Sequence, residues 1–208
     1  MSNPNDDGGG LRPALPSRWQ VAVHEAAHAV YAHRQGVTVV FVTVEGIVAA
    51  ENGGISGGYL GRCRPDWDGE NGPLTGVLGC ALSLVGLAAA FRAGWPEPLL
   101  PYPEFVLEAQ AKNPRSDAGQ VFALLRSADD PEGLYEAARA EAEASVDEHW
   151  SEIVALAERL MEAETLTERE VDAALGRPGW GAFREMLDEM RLAEDAAPWT
   201  KGEGEETF

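Results

Sequence analysis

Two hydrophobic periods alternate along this chain, and the switches between them mark out its elements. From Arg18 to Gln35 apolar and small residues crowd a helical repeat, with Val21, Ala27 and Val30 making most of the surface inward-facing. Ser17 is placed to cap this helix at its start, and Gly36 to close it as the first residue beyond its end. At Val37 the pattern changes to the β-branched and aromatic run Val37-Thr38-Val39-Val40-Phe41-Val42-Thr43-Val44, which predicts a strand. Gly46 and the pairs Gly53-Gly54 and Gly57-Gly58 then punctuate the chain, leaving room for short strands at Ile47 to Ala50 and Tyr59 to Arg62. A small sheet beside the first helix follows. Pro65 to Pro73 is a polar turn region, after which Leu74 to Phe91 runs without a charge. That length approaches the lower limit for crossing a bilayer. Its glycines (Gly76, Gly79, Gly86), its alanines and the acidic residues before it favour a helix buried on all sides in a soluble core.

In the second half, Gly94 to Pro103 holds four prolines and two large aromatics, and reads as an extended connector. Phe105 to Lys112 is a candidate short helix. After Asn113-Pro114, Arg115 or Ser116 opens another, whose apolar Val121, Leu124 and Leu125 turn the Asp117 side toward the core. Pro131 to about Ala163 is a long helix rich in Ala and Glu. Val146, Trp150, Ile153, Leu156, Ala157 and Leu160 recur on it at three- and four-residue steps, one buried stripe. Thr167-Glu168-Arg169-Glu170 is a capping box that starts a helix through Leu175, and Gly179 to Leu192 adds a last amphipathic one. The expected fold class is mainly α (α+β): one domain over 17–193, between a disordered leader (1–16) and an acidic disordered tail (194–208).

Composition narrows the partners. A formal net charge of −19 on 208 residues repels phosphate backbones and anionic lipid, which argues against nucleic acid or a membrane surface as the partner. The two cysteines, Cys63 and Cys80, form no CxxC pair, and the first residues have neither a basic start nor an apolar core. Free thiols and no signal peptide lead to the expectation of a cytoplasmic protein.

The chemistry lies in Val23-His24-Glu25-Ala26-Ala27-His28-Ala29-Val30. On a helix His24 and His28 stand one turn above one another, roughly 40° apart around the axis, so that their nitrogens can share one tetrahedral metal. Glu25 projects to the side where an attacking water can sit. This is the H-E-x-x-H arrangement of zinc hydrolases, and a catalytic zinc takes a third protein ligand. His33 lies roughly 180° around the same helix from His24, and no glycine turn precedes it, so it is expected to face solvent. His149, between Glu148 and Trp150, is expected at the surface or its boundary. Among the 35 acidic residues Asp117 stands out, in the first turn of an otherwise apolar helix. The pattern alone leaves two readings of it open: a metal ligand, or a charge that complements the helix dipole.

These segments resemble, in order, the peptidase domain of FtsH-type AAA+ zinc proteases. His24-Glu25-Ala26-Ala27-His28-Ala29-Val30 and Val39-Val40-Phe41-Val42-Thr43-Val44 are similar to the family's H-E-A-G-H-A helix and the V-x-x-V-T-I strand after it. Leu84-Val85-Gly86-Leu87-Ala88-Ala89-Ala90 resembles L-A-G-R-A-A-E, and Ser116-Asp117-Ala118-Gly119-Gln120 resembles S-N-D-L-x-x-A. Ala163 to Val171 resembles the K-E-T-L-x-x-E-E-V stretch that closes the family's helical bundle. The resemblance implies a helical zinc-peptidase bundle with a small sheet beside the motif helix. It implies zinc held by His24, His28 and Asp117, with Glu25 as the catalytic base, and an extended peptide added to a strand edge.

The chain also departs from that family. It carries no GxxxxGK[ST], Leu87 and Phe91 stand where the family has polar residues, and the segment before Asp117 lacks the usual Gly/Thr-rich run. The expected activity is therefore a zinc-dependent endopeptidase without its own ATP-driven unfoldase, acting on unfolded or small polypeptides or on those delivered by a separate ATPase or adaptor. A peptidase-like scaffold that has lost its activity, or a zinc amidase acting on other bonds, are the competing classes. The residues that would bind substrate, and the oligomeric state, carry no signature in the sequence.

Overall fold

The computed structural model describes residues 16–51, 54–66, 75–110 and 112–176, with the side chains of 47–51 and 54–59 excepted. The expected leader (apart from Pro16), the helix at 179–192 and the acidic tail lie outside these residues.

Helix α1 (Arg18–Arg34) begins as its sequence requires. The Ser17 side chain accepts from the Gln20 backbone N–H, and the Gln20 side chain answers to the Ser17 backbone N–H at 2.8 Å, a reciprocal cap. Gly36 ends it in the left-handed region at φ 76°, where a residue without Cβ is unstrained. Nearly every residue from Val21 to His33 is buried, because three elements enclose this helix. Helices α2 (Gly76–Arg92) and α5 (Pro131–Ala163) pack on it and on each other, and a hairpin of β1 (Val39–Glu51) and β2 (Gly54–Pro65) covers another side. The middle of the bundle is filled by Tyr31, Leu84, Tyr135, Ile153, Leu156 and Leu160, all essentially inaccessible to water.

The protein is mainly helical with one small antiparallel sheet, of order β2-β1-β3. The sheet differs from expectation in two ways. The glycines at 46, 57 and 58 do not divide it into short strands: β1 and β2 pair continuously from Phe41↔Arg64 to Glu51↔Gly54. A backbone ladder asks nothing of side chains, so glycines can pass through it. A third strand, β3 (Thr165–Thr167), pairs with Phe41 to Thr43 and brings the chain end back to β1.

The remaining helices follow the sequence closely. Helix α3 (Glu104–Ala109) is a short turn after the proline-rich connector; α4 (Asp117–Leu125) is capped by Ser116; α6 (Glu168–Leu175) opens on the Thr167 capping box. Helix α5 runs unbroken apart from a kink at His149 (φ −105°, ψ 16°). Two arginines fasten that region: Arg34 donates to Glu152 at 3.0 Å, and Arg92 pairs with Asp147 while its guanidinium lies over the Trp150 ring at 4.4 Å. The uncharged segment forms α2 and is buried from Gly79 to Gly86. No helix among the described residues is long and apolar enough to cross a membrane.

Candidate metal centre

Packing of α1 turns His24 and His28 toward Gly86 of α2 and Asp117 of α4. The two imidazoles meet edge to face, with centroids 4.7 Å apart, and the Nε2 atoms lie 3.0 Å from each other. Asp117, the first residue of α4, brings its Oδ2 to 2.9 Å from Nε2 of His24 and 3.5 Å from Nε2 of His28. Its position is held by the cap: the Ser116 Oγ accepts from the Gly119 N–H at 3.3 Å and donates to the Asn113 carbonyl at 2.6 Å.

Three lone-pair atoms therefore face a common point, an arrangement that protons or a cation must reconcile. Tetrahedral zinc with bonds of about 2.0–2.1 Å separates its ligand atoms by roughly 3.3 Å. The three separations here, 2.9, 3.0 and 3.5 Å, bracket that value. Two imidazole nitrogens, one carboxylate oxygen and a remaining open position make a donor set suited to catalytic zinc. The outer contacts agree. His28 Nδ1 is 2.6 Å from the Leu82 carbonyl, to which it donates, and that bond leaves Nε2 as the free donor.

Protonation follows burial and charge. Burial draws the His28 imidazole down, but Asp117 and then Glu25 more than offset it and lift its pKa to about 9. Burial also works to raise Asp117, yet the two histidines hold its carboxyl far below the ordinary range. Burial pushes Glu25 up, outweighing the downward pull of His24 and His28. Glu25 is 7 % exposed and borders the cluster without joining it.

No protein-family model matches the chain, and no curated protein matches it.

The four residues singled out in the sequence, His24, Glu25, His28 and Asp117, thus lie together. The other two histidines take no part. His33 overturns its expectation: it is buried and faces Asp172 of α6 at 3.2 Å, so the last turn of α1 meets protein where its own pattern implied water. His149 sits at the boundary in the α5 kink, 3.9 Å from both Glu148 and Glu152.

Two glycines that the sequence did not assign to the site complete it. A Cβ on Gly86 of α2 would stand 2.4 Å from His28 Nε2 and 2.7 Å from His24 Nε2, so the histidines occupy its place. A Cβ on Gly61 of β2 would stand 2.2 Å from the Glu25 Cγ. Two residues along the same strand, the Cys63 backbone N–H donates to the Glu25 carboxylate. The half-buried Cys63 thiol is pushed well up by burial and by the Glu25 and Asp117 charges, and stays neutral.

Proposed function

We propose that the protein is a zinc-dependent endopeptidase related to the FtsH-type peptidase domain, hydrolysing bonds in unfolded or small polypeptides. The observation that carries this reading is the convergence of His24 Nε2, His28 Nε2 and Asp117 Oδ2 on one point beside a buried Glu25. His24, His28 and Asp117 would hold the ion, which would supply Lewis acidity toward the scissile carbonyl and the attacking water. Glu25 takes the proton of the attacking water and passes it to the departing amine, a task that a carboxyl raised by burial suits better than an exposed one. The geometry around Glu25 supports a peptide substrate. Strand β2 pairs only with β1, and its other edge meets no strand among the described residues. Gly61, on this strand, lies against Glu25. An extended polypeptide paired with that edge runs past the base. The substrate in this reading arrives unfolded, small, or handed over by an ATPase or adaptor.

The test is direct. Purified protein contains about one zinc per chain and cleaves casein, while Glu25→Gln keeps the zinc and loses on the order of 10²–10⁴ in rate. Unchanged cleavage by that variant removes Glu25 as the base. Zinc held by Asp117→Ala at wild-type affinity removes Asp117 from the site.

A further inference from the structure

The connector between α2 and α4, where the chain lacks the Gly/Thr-rich run of the FtsH-type pattern, builds a cavity of about 210 Å³. Its walls are apolar: Leu87 from α2, Trp95 and Leu99 from the connector, Phe105 and Ala109 from α3, and Ala118 from α4. Two of these residues are neighbours of the metal centre in the chain. Leu87 follows Gly86, against which His24 and His28 rest, and Ala118 follows Asp117. Consecutive Cα atoms are about 3.8 Å apart, so the inner wall shares its backbone with the site.

Size and stiffness define what fits. An apolar cavity of roughly 150 Å³ admits benzene, so 210 Å³ takes a phenyl ring with its methylene, or a leucine side chain. The walls are preformed. Pro96 and Pro98 restrict the connector, the Trp95 N–H is tied to the Ala90 carbonyl at 2.9 Å, and Phe105 stacks on Tyr135 at 4.6 Å between centroids. Charge is confined to side chains that reach water, with Glu108 and Lys112 paired to each other at 3.0 Å beside an exposed Glu97. An apolar interior with a charged margin accepts a side chain while its own main chain stays hydrated.

We propose that this cavity is a substrate subsite: it receives an aromatic or leucine-sized side chain of a polypeptide bound at the metal centre, and so selects the bond presented to Glu25. The assignment rests on the peptidase reading, and its test separates the two. Full-length ¹⁵N-labelled protein, metal-free and zinc-loaded, is titrated with N-acetyl-L-phenylalaninamide. Saturable amide shifts are expected at Leu99, Ala109 and Lys112, and none with N-acetylglycinamide. Leu99→Asp, which puts a carboxylate in the wall, and Leu99→Trp, which fills the space, both abolish them; Leu99→Met keeps them. For two peptides differing only by Phe or Ala at one position, wild type favours Phe in kcat/KM by at least about tenfold, and the preference falls to near unity in both blocking variants. Shifts absent or spread over the surface, or a preference that survives both folded variants, overturn the subsite and leave the peptidase standing. Saturable binding with no cleavage of any peptide by the zinc-loaded protein overturns the peptidase reading and, with it, the role in substrate choice.

Discussion

Gly86 and Gly61 have no side chain to displace, and His24, His28 and Glu25 fill the space that one would need. The two positions separate binding from chemistry. Gly86→Ala pushes on both imidazoles and is expected to weaken zinc binding by about 10–100-fold, measured by competition with a chelating dye. Gly61→Ala pushes on Glu25, so it is expected to keep zinc and lose cleavage, as Glu25→Gln does. Protons report on the same residues. With its pKa near 9, His28 in the metal-free protein carries a proton at pH 7 that a metal has to displace. Zinc uptake at pH 7 therefore releases about one proton, and apparent affinity climbs roughly tenfold per pH unit toward pH 9. Calorimetry in two buffers of different ionisation enthalpy checks this, and uptake without proton release refutes it. In the metal-free fold this raised value stabilises below pH 6.5, and that contribution disappears as pH rises through 9. At this scale the sequence is legible only where partners are close along the chain. His24, Glu25 and His28 share one helical turn and announce themselves. The pattern alone leaves Asp117 between two roles, and the family resemblance favours the ligand. Gly61, Gly86 and the burial of His33 depend on segments arriving from far away, which no local spacing encodes.

At the level of elements, caps and periods carried most of the information. Ser17, Gly36, Ser116 and Thr167 mark helix ends that the structure keeps, since their side chains or their freedom at positive φ act within one turn. The hairpin was harder to read, because a ladder of backbone hydrogen bonds runs through glycines that normally signal turns. Strand β3 is three residues long and exists through pairing with β1, over a hundred residues away in sequence. Helix α4 links element to site. Ser116 caps it, and Asp117, the proposed third ligand, is its first residue. Ser116→Ala is expected to cost about 1 kcal/mol, roughly 2–4 °C in Tm for a protein of this size, and to weaken zinc binding as well, because the carboxylate loses its fixed starting point. A loss of stability with zinc affinity unchanged would show that Asp117 is positioned by something other than the cap.

Across the whole molecule, the fold class was legible because long amphipathic or uncharged runs outnumber the one β-branched stretch. The way they pack was not, since α1 is apolar nearly all round and its pattern does not say which neighbour lies on which side. The last described helix nevertheless reaches back to α1, which carries the proposed ligands His24 and His28 at its middle and faces Asp172 of α6 with His33 in its last turn. The metal centre spans the molecule in another sense. His24 and Asp117 are 93 positions apart, so an ion gripped by both closes a large loop, and the unfolded chain can keep that closure only at a high entropic cost. Bound metal and folded state then rise and fall together, each tenfold increase in free zinc above Kd adding about 1.4 kcal/mol of stability. A thermal midpoint that climbs with free zinc in wild type and stays flat in Asp117→Ala is the expected signature. On the proposed reading the ion is a clasp as well as a reagent, and stripping it leaves the chain itself more open to proteolysis.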